Sequence, residues 1–285
     1  MTNIALNKVS LNLGGSRVLQ VANRSNTQMM SYLIETVTGK LIMIDGGYYI
    51  DPDAHHLYEL LCQKGKVVDL WIITHAHEDH FGALSRMLEL YTSFDIEIKK
   101  MCFDFPPLPW LSKVERGHSY PYIVNFLNQL NNHHIPVTEI HKGDILRIDE
   151  VELEILHDAQ NYERYMGINN TSLVIRAKFP GNDILFLGDI GSRGGDDLLS
   201  DCPREKLNCE VVQMAHHGQG AVKKNFYEVV RPKVCLYTAP LWLWENDNGN
   251  GPGSGPWETL ETRKWMEELG RELDCPMAYG DFLFD

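Results

Sequence analysis

What this chain has least of is positive charge. It carries 26 Lys and Arg against 39 Asp and Glu, a formal net charge of −13. The basic residues come in ones and twos, as at Lys99 and Lys100, Lys223 and Lys224, and the stretch "TRKW" near the C-terminus. A groove for nucleic acid needs a stripe of cations to replace condensed counterions. None of these groups forms such a run with interleaved aromatics, the pattern that grips single strands. The expected partner is therefore a small molecule and not a polynucleotide. Long apolar runs are missing too, and nothing approaches the length of a membrane span. The N-terminus "MTNIALNKVSLNLGG" lacks a charged segment followed by an apolar one, so the expected location is the cytoplasm. The six cysteines are scattered with no C-x-x-C pair, which argues against a disulfide framework and for buried free thiols. No repeat or low-complexity segment is visible.

What is present is ordinary globular material in an ordered series. Strand-like runs "VSLNL", "RVLQVA", "MMSYLIET" and "GKLIMIDGG" open the chain, separated by turn residues. "DPDAHHLYELLCQKG" reads as a helix, with Pro52 near its start and Gly65 beyond its end. "VVDLWIITH" follows as an apolar strand, then "FGALSRMLEL" as a helix. The second half repeats this grammar with the strands "DILRI", "VELEILH", "SLVIRAKF", "DILFLGD" and "CEVVQMAHHG". The helices "KKNFYEVVRP" and "PWETLETRKWMEELGREL" flank the strand "KVCLYTA". Two sheet-rich halves with helices predict two packed sheets covered by helices on both outer faces. No linker is visible, so residues 1–285 are expected to form a single domain.

The chemistry concentrates in "THAHEDHFGAL", residues 74–84. Three histidines and two carboxylates fall within six residues, directly after the apolar run "LWII". In an extended segment, positions i and i+2 share a side, so His75 and His77 can approach one metal ion together. Asp79 and His80 lie where the chain turns into a helix and can face a second point nearby. Imidazole and carboxylate are good Zn²⁺ ligands. Asp189, ending "DILFLGD", is placed to bridge two cations. His216 and His217 end "VVQMAHHG".

These stretches resemble the metallo-β-lactamase superfamily. "HAHEDH" is similar to its H-x-H-x-D-H motif, "LIMIDGG" to its first motif, "FLGD" to its bridging-Asp motif and "AHHG" to its last His motif. "NNTSLVIRAKFPGNDILFLGD" and "FYEVVRPKVCLYT" more closely resemble ComEC-type metallohydrolase domains, a branch that also resembles bacterial phosphorylcholine esterases. The resemblance implies an α/β fold, a four-layer αβ/βα sandwich of two mixed sheets flanked by helices. It implies two metal ions, Zn²⁺ fitting best with Mn²⁺ or Fe as alternatives. His75 and His77 match the ligands of the first metal, Asp79 and His80 those of the second, Asp189 the bridge and His217 the last ligand. Asp45 takes a supporting role, and His216 stands behind the ligands or faces substrate. The middle motif commonly supplies a third histidine to the first metal. Here that region reads "GINNTSLVIR" and has none, which leaves Asn170, through its amide oxygen, or His157 to fill the place.

The expected activity is hydrolysis, with Asp79 and Asp189 in catalytic roles. Two cations stabilise hydroxide between them, and that hydroxide attacks phosphorus or a carbonyl carbon. A small phosphodiester or related ester is the expected substrate. The alternatives are a ComEC-like nuclease, a lactonase or other carboxylic ester hydrolase, and a metal-bound scaffold without catalysis. The aromatic stretches around Trp110 and from Trp242 to Trp257 are expected either to wall the pocket or to anchor surface loops.

Overall fold

The computed structural model describes residues 5–91, 93–165 and 167–285. Two mixed sheets face each other. The first has eight strands in the order Leu6–Val9, Asp281–Phe284, Arg17–Gln20, Tyr32–Glu35, Leu41–Ile44, Leu70–Ile72, Met101–Cys102 and Val137–Thr138. The second has seven, running Ile145–Ile148, Val151–His157, Val174–Lys178, Ile184–Phe186, Val211–Gln213, Val234–Tyr237 and Leu273–Pro276. In each sheet an antiparallel meander continues into parallel strands.

The side-chain period of two explains the layering. In the strand Leu41–Ile44, Ile42 and Ile44 enter the core between the sheets, while Leu41 and Met43 enter the core under the helices. The second sheet does the same: Ile184 and Phe186 point inward, and Leu185 points to the helices on the other side. A strand buried on both faces must be apolar throughout, which is why "LIMI" and "ILF" show no alternation. Helices Asp51–Gln63, Glu78–Leu90 and Tyr120–Asn132 cover the first sheet through Leu57, Leu61, Phe81, Leu84, Phe126 and Leu130. Helices Ser192–Asp201, Lys224–Val230 and Thr259–Glu268 cover the second through Leu198, Phe226 and Met266. The result is the αβ/βα sandwich expected.

Two local readings change. "VVDLWIITH" is not one strand: Val67–Val68 pairs with Glu97–Ile98 as a separate ribbon, and only Leu70–Ile72 joins the main sheet. The stretch "FPPLPWL" around Trp110 is not a loop throughout: Leu108–Val114 is a short helix, and Trp110, partly buried, packs against the core under the first sheet's helices. The C-terminal "DFLF" crosses back from the second half and inserts into the first sheet beside Arg17–Gln20. All six cysteines are free and five of them are buried. Among the described residues, no helix is long and apolar enough to cross a membrane.

Candidate metal centre

Both sheets deliver their chemistry at the ends of parallel strands. Leu41–Ile44 and Leu70–Ile72 run side by side, so the residues that follow them meet. Asp45 follows the first of these strands, with its backbone at φ 60°. One of its carboxylate oxygens accepts the Thr74 N–H at 2.7 Å. The other accepts the Thr74 hydroxyl at 2.8 Å and lies 2.6 Å from His80 Nδ1. The segment after the second strand carries His75 and His77, and His77, in extended backbone, is the residue from which the helix Glu78–Leu90 starts. Asp79 and His80 therefore sit in that helix's first turn. Gly82, one turn on, lets the loop through Tyr49 lie against the helix, because an added Cβ would come within 2.3 Å of the Tyr49 nitrogen.

The second sheet supplies Asp189, His216 and His217. Gln213, fully buried, holds both of its strand-end turns. Its amide oxygen accepts the Leu187 and Gly188 N–H groups at 2.7 and 2.8 Å, and its amide nitrogen donates to the Gly188 and Met214 carbonyls. The Asp189 N–H donates to the Ser172 hydroxyl at 3.1 Å. His216 and His217 both take left-handed backbone, at φ 52° and 58°. Two consecutive non-glycine residues in that region are costly, and such strain gathers at functional sites.

The two sets converge. His80 Nε2 lies 3.2 Å from Asp189 Oδ1, and His217 Nε2 lies 3.0 Å from Asp79 Oδ2 and 3.4 Å from Asp189 Oδ2. Asp79, His80, Asp189 and His217 offer ligand atoms all within 4.8 Å of one another. Beside them, His75 Nε2 and His77 Nδ1 approach to 3.1 Å, and His75 Nε2 lies 3.9 Å from Asp189 Oδ2. His216 Nε2 is also 3.9 Å from Asp189 Oδ2, and it contacts the Asn169 amide at 3.3 Å.

The electrostatics of this cluster are those of carboxylates and imidazoles holding one another. Burial pushes the His80 imidazolium toward neutrality, but Asp189, Asp45 and Asp79 overcome it and lift its pKa well above the ordinary value. His217 is likewise raised to about 9 by Asp189 and Asp79 against the burial penalty. Asp189 is held well below the usual carboxylate range by His80 and His217, although its burial acts the other way. Burial, assisted by the positive charge of His80, lowers His75.

A cation fits this donor set on one observation above all. Among the described residues, His80 Nε2, His217 Nε2 and Asp189 Oδ1 are buried and make no hydrogen bond, although they face one another and Asp79 at 3.0 to 3.4 Å. Buried polar atoms are almost always paired, and three unpaired ligand atoms of two chemical types facing one another suit a metal ion that replaces protons. The centre floors two adjoining clefts of about 490 Å³ each, which share His77 and Glu115. Tyr48, Glu78, Ser119 and Trp242 line the first; Asn169, Asn170, Gly191 and His216 line the second. Among the described lining residues there is no Lys or Arg.

The two residues expected to supply a third ligand to the first metal are engaged elsewhere. His157 has both ring nitrogens occupied, Nδ1 at 2.8 Å from the Ser172 carbonyl and Nε2 at 3.0 Å from the Tyr165 hydroxyl. The Asn170 amide oxygen accepts the Gly194 N–H at 2.9 Å. Asn169, whose amide nitrogen contacts His216, has a buried amide oxygen with no hydrogen bond among the described residues. Of the aromatic stretches, Trp242 reaches the cleft, anchored by its indole N–H to the Asn26 carbonyl at 3.0 Å, and Trp257 packs on it. Sequence reasoning missed Gln213, Thr74, Thr238, Asn169 and Glu115. A buried-strand Gln immediately before "MAHHG" was the one signal available for any of them.

The family model of the metallo-beta-lactamase superfamily matches residues 26–219. A comparison with curated proteins finds no match. Among solved structures, the metallo-beta-lactamase fold protein YhfI from Bacillus subtilis is similar, at 10% identity and a TM-score of 0.58, over 94% of this chain and 98% of that one. A CmlA beta-hydroxylase E377D mutant is similar at 12% identity and a TM-score of 0.55, over 94% of this chain and 53% of that one. At such identities the likeness is one of fold.

Proposed function

Because the chain belongs to the metallo-beta-lactamase superfamily, we propose that it is a metal-dependent hydrolase of a small phosphodiester or related ester. The observation that carries this is the set of ligand atoms on His80, Asp189 and His217 that are buried without hydrogen bonds, next to two clefts whose linings include Asp79 and Asp189. Asp79, His80, Asp189 and His217 would hold one ion, and His75 and His77, with Asp189 between the two sets, the other. Zn²⁺ suits this mixture of imidazole and carboxylate. The bound ions supply Lewis-acid polarisation of the substrate and a lowered pKa for water.

The protein's own contribution is orientation and proton handling. Asp45 accepts from His80 Nδ1 and so leaves Nε2 free to face the centre. Thr238 does the same for His217, whose Nδ1 is 2.9 Å from the Thr238 hydroxyl. Asp79 borders both the buried cluster and the open cleft, which suits it to take and return a proton while touching His217. Trp242 and Tyr48 give the cleft aromatic walls. The absence of Lys and Arg from those walls supports a small substrate over a polynucleotide.

The test is to incubate the metal-loaded protein with bis(p-nitrophenyl) phosphate, a lactone, a carboxylic ester and single- and double-stranded DNA. Metal-dependent cleavage of the small phosphodiester, absent in His77→Ala, is expected. Efficient DNA cleavage that the same substitution removes would replace this reading with a nuclease. Bound metal with no turnover of any of these would favour a scaffold.

A further inference from the structure

Four of the five histidines at the centre fix one ring nitrogen on the protein. His75 Nδ1 lies 3.2 Å from the Thr74 hydroxyl, His80 Nδ1 2.6 Å from Asp45, His217 Nδ1 2.9 Å from the Thr238 hydroxyl, and His216 Nδ1 3.1 Å from the Gly220 carbonyl. In all four Nδ1 is the anchored atom. His77 is turned the other way: its Nδ1 faces His75 Nε2 at 3.1 Å, and its Nε2 points outward to Glu115 Oε1 at 3.6 Å. A neutral imidazole has one N–H, and whichever nitrogen carries it cannot bind a metal. With nothing to hold the proton on Nε2, His77 would divide its time between two tautomers, one of them unable to use Nδ1.

We propose that Glu115 is the positioning residue of His77, holding its proton on Nε2 so that the lone pair of Nδ1 is presented beside His75. This rests on the metal-site reading above and names a residue that no sequence motif marks. Glu115 ends the helix Leu108–Val114, and its backbone N–H is tied to the Leu111 carbonyl at 2.9 Å, so its backbone is fixed. Its carboxylate is 17% exposed and stands between the two clefts. At 3.6 Å the contact is that of an ion pair, longer than a hydrogen bond. Glu115 faces the outer nitrogen and not the inner one, which makes it an orienting group and not a ligand. The other four anchors lie within or next to the elements that carry the cluster. This one comes from a separate helix, so the hold on His77 depends on how the segment Leu108–Ser119 seats over the centre.

The test is calorimetric titration of the metal-free protein with Zn²⁺, in wild type, Glu115→Ala, His77→Ala and the double variant. Two binding events are expected in wild type. Glu115→Ala is expected to weaken one of them by about 10–100-fold, the usual effect of losing a group that orients a ligand, and to add nothing in the His77→Ala background. An unchanged affinity, or an equal loss in both backgrounds, would overturn the proposal. Should Glu115→Ala not fold, ring-nitrogen NMR of the metal-free wild type and of Glu115→Gln decides it. Wild type should show His77 protonated on Nε2, and the variant a mixture; identical spectra would overturn it. A wild type that binds no Zn²⁺ would instead sink the metal-site reading, and the NMR comparison would still decide whether Glu115 sets the tautomer.

Discussion

Two clusters in this protein gather the same kinds of residue at similar distances. Asp79, His80, Asp189 and His217 form one, and Asp104, His141 and Asp158 the other; in each, the ligand-type atoms lie within 4.8 Å of one another. They differ in what those atoms already do. In the second cluster Asp104 accepts the Ala159 N–H at 2.9 Å and the Gln160 amide, and Asp158 accepts the Lys142 and Gln160 N–H groups at 2.7 and 3.1 Å. Gln160 also approaches His141 Nδ1 at 3.4 Å. Those groups stitch the loop after Met101–Cys102, in the first sheet, to the turn after Val151–His157, in the second. In the first cluster three buried atoms make no hydrogen bond among the described residues. Residue type and proximity are therefore poor guides to a metal site, and unmet hydrogen-bonding capacity is a better one.

The comparison breaks most sharply at Asp189, the carboxylate proposed to stand between two ions. Asp189→Asn and His217→Ala are expected to strip metal from the purified protein and to lower hydrolysis by about a hundredfold or more, a larger loss than that from merely orienting groups. Asp104→Asn should keep its metal. Elemental analysis beside a phosphodiester assay reads both, and equal metal loss in Asp104→Asn would erase the distinction.

Asp45→Asn should come next. Asparagine tolerates the same left-handed backbone, so the change removes charge from the His80 contact and replaces one of the two accepting oxygens with an amide nitrogen that cannot accept from Thr74 or His80. Metal affinity should fall about 10–100-fold, and stability by about 3 kcal/mol because a buried charged contact is broken on one side. Titration with Zn²⁺ and urea unfolding measure the two effects separately, and a variant unchanged in both would remove Asp45 from the centre.

The smallest effects belong to the second cluster. Asp104→Asn or His141→Ala should cost about 1 kcal/mol in urea unfolding, the worth of an ordinary hydrogen bond, with metal content untouched. Burial raises the Asp104 carboxyl above its ordinary pKa, although Gln160 and the Ala159 N–H pull it down. The native state therefore keeps this proton to a higher pH than the unfolded chain does. The stability of wild type relative to Asp104→Asn should fall as pH rises from the ordinary carboxyl value through the raised one. A difference that instead grew with pH over that window would mean the carboxylate is stabilised in place, as in a site that welcomes charge.

The sequence was most informative where chemistry is local. "HAHEDH" places four candidate ligands within six residues, and the turn from strand to helix is visible in the shift from "LWII" to "FGALSRML". "FLGD" and "AHHG" stand out because a polar group ends a buried run. Little announces Asn169 or Thr238, since an Asn in a turn and a Thr after a strand are unremarkable alone. The reading of His157 as a ligand candidate came from its place at a strand end. The fold instead points it at Tyr165 and Ser172, where a buried imidazole has both nitrogens met.

By itself, the amino-acid order determined which residues could act and roughly how the layers form. Side-chain period and apolar runs decide which strands are buried on both faces, and an imidazole-rich turn after such a strand has few other uses. Only tertiary structure decided how the groups meet. Asp45 and His80 are 35 residues apart and touch because parallel strand pairing brings their two strand ends side by side. Asp79 and Asp189, from different sheets, share His217 because the core between the sheets sets the spacing of their edges. His77 and Glu115 meet because a short helix lies across the centre, and no spacing in the chain encodes that contact.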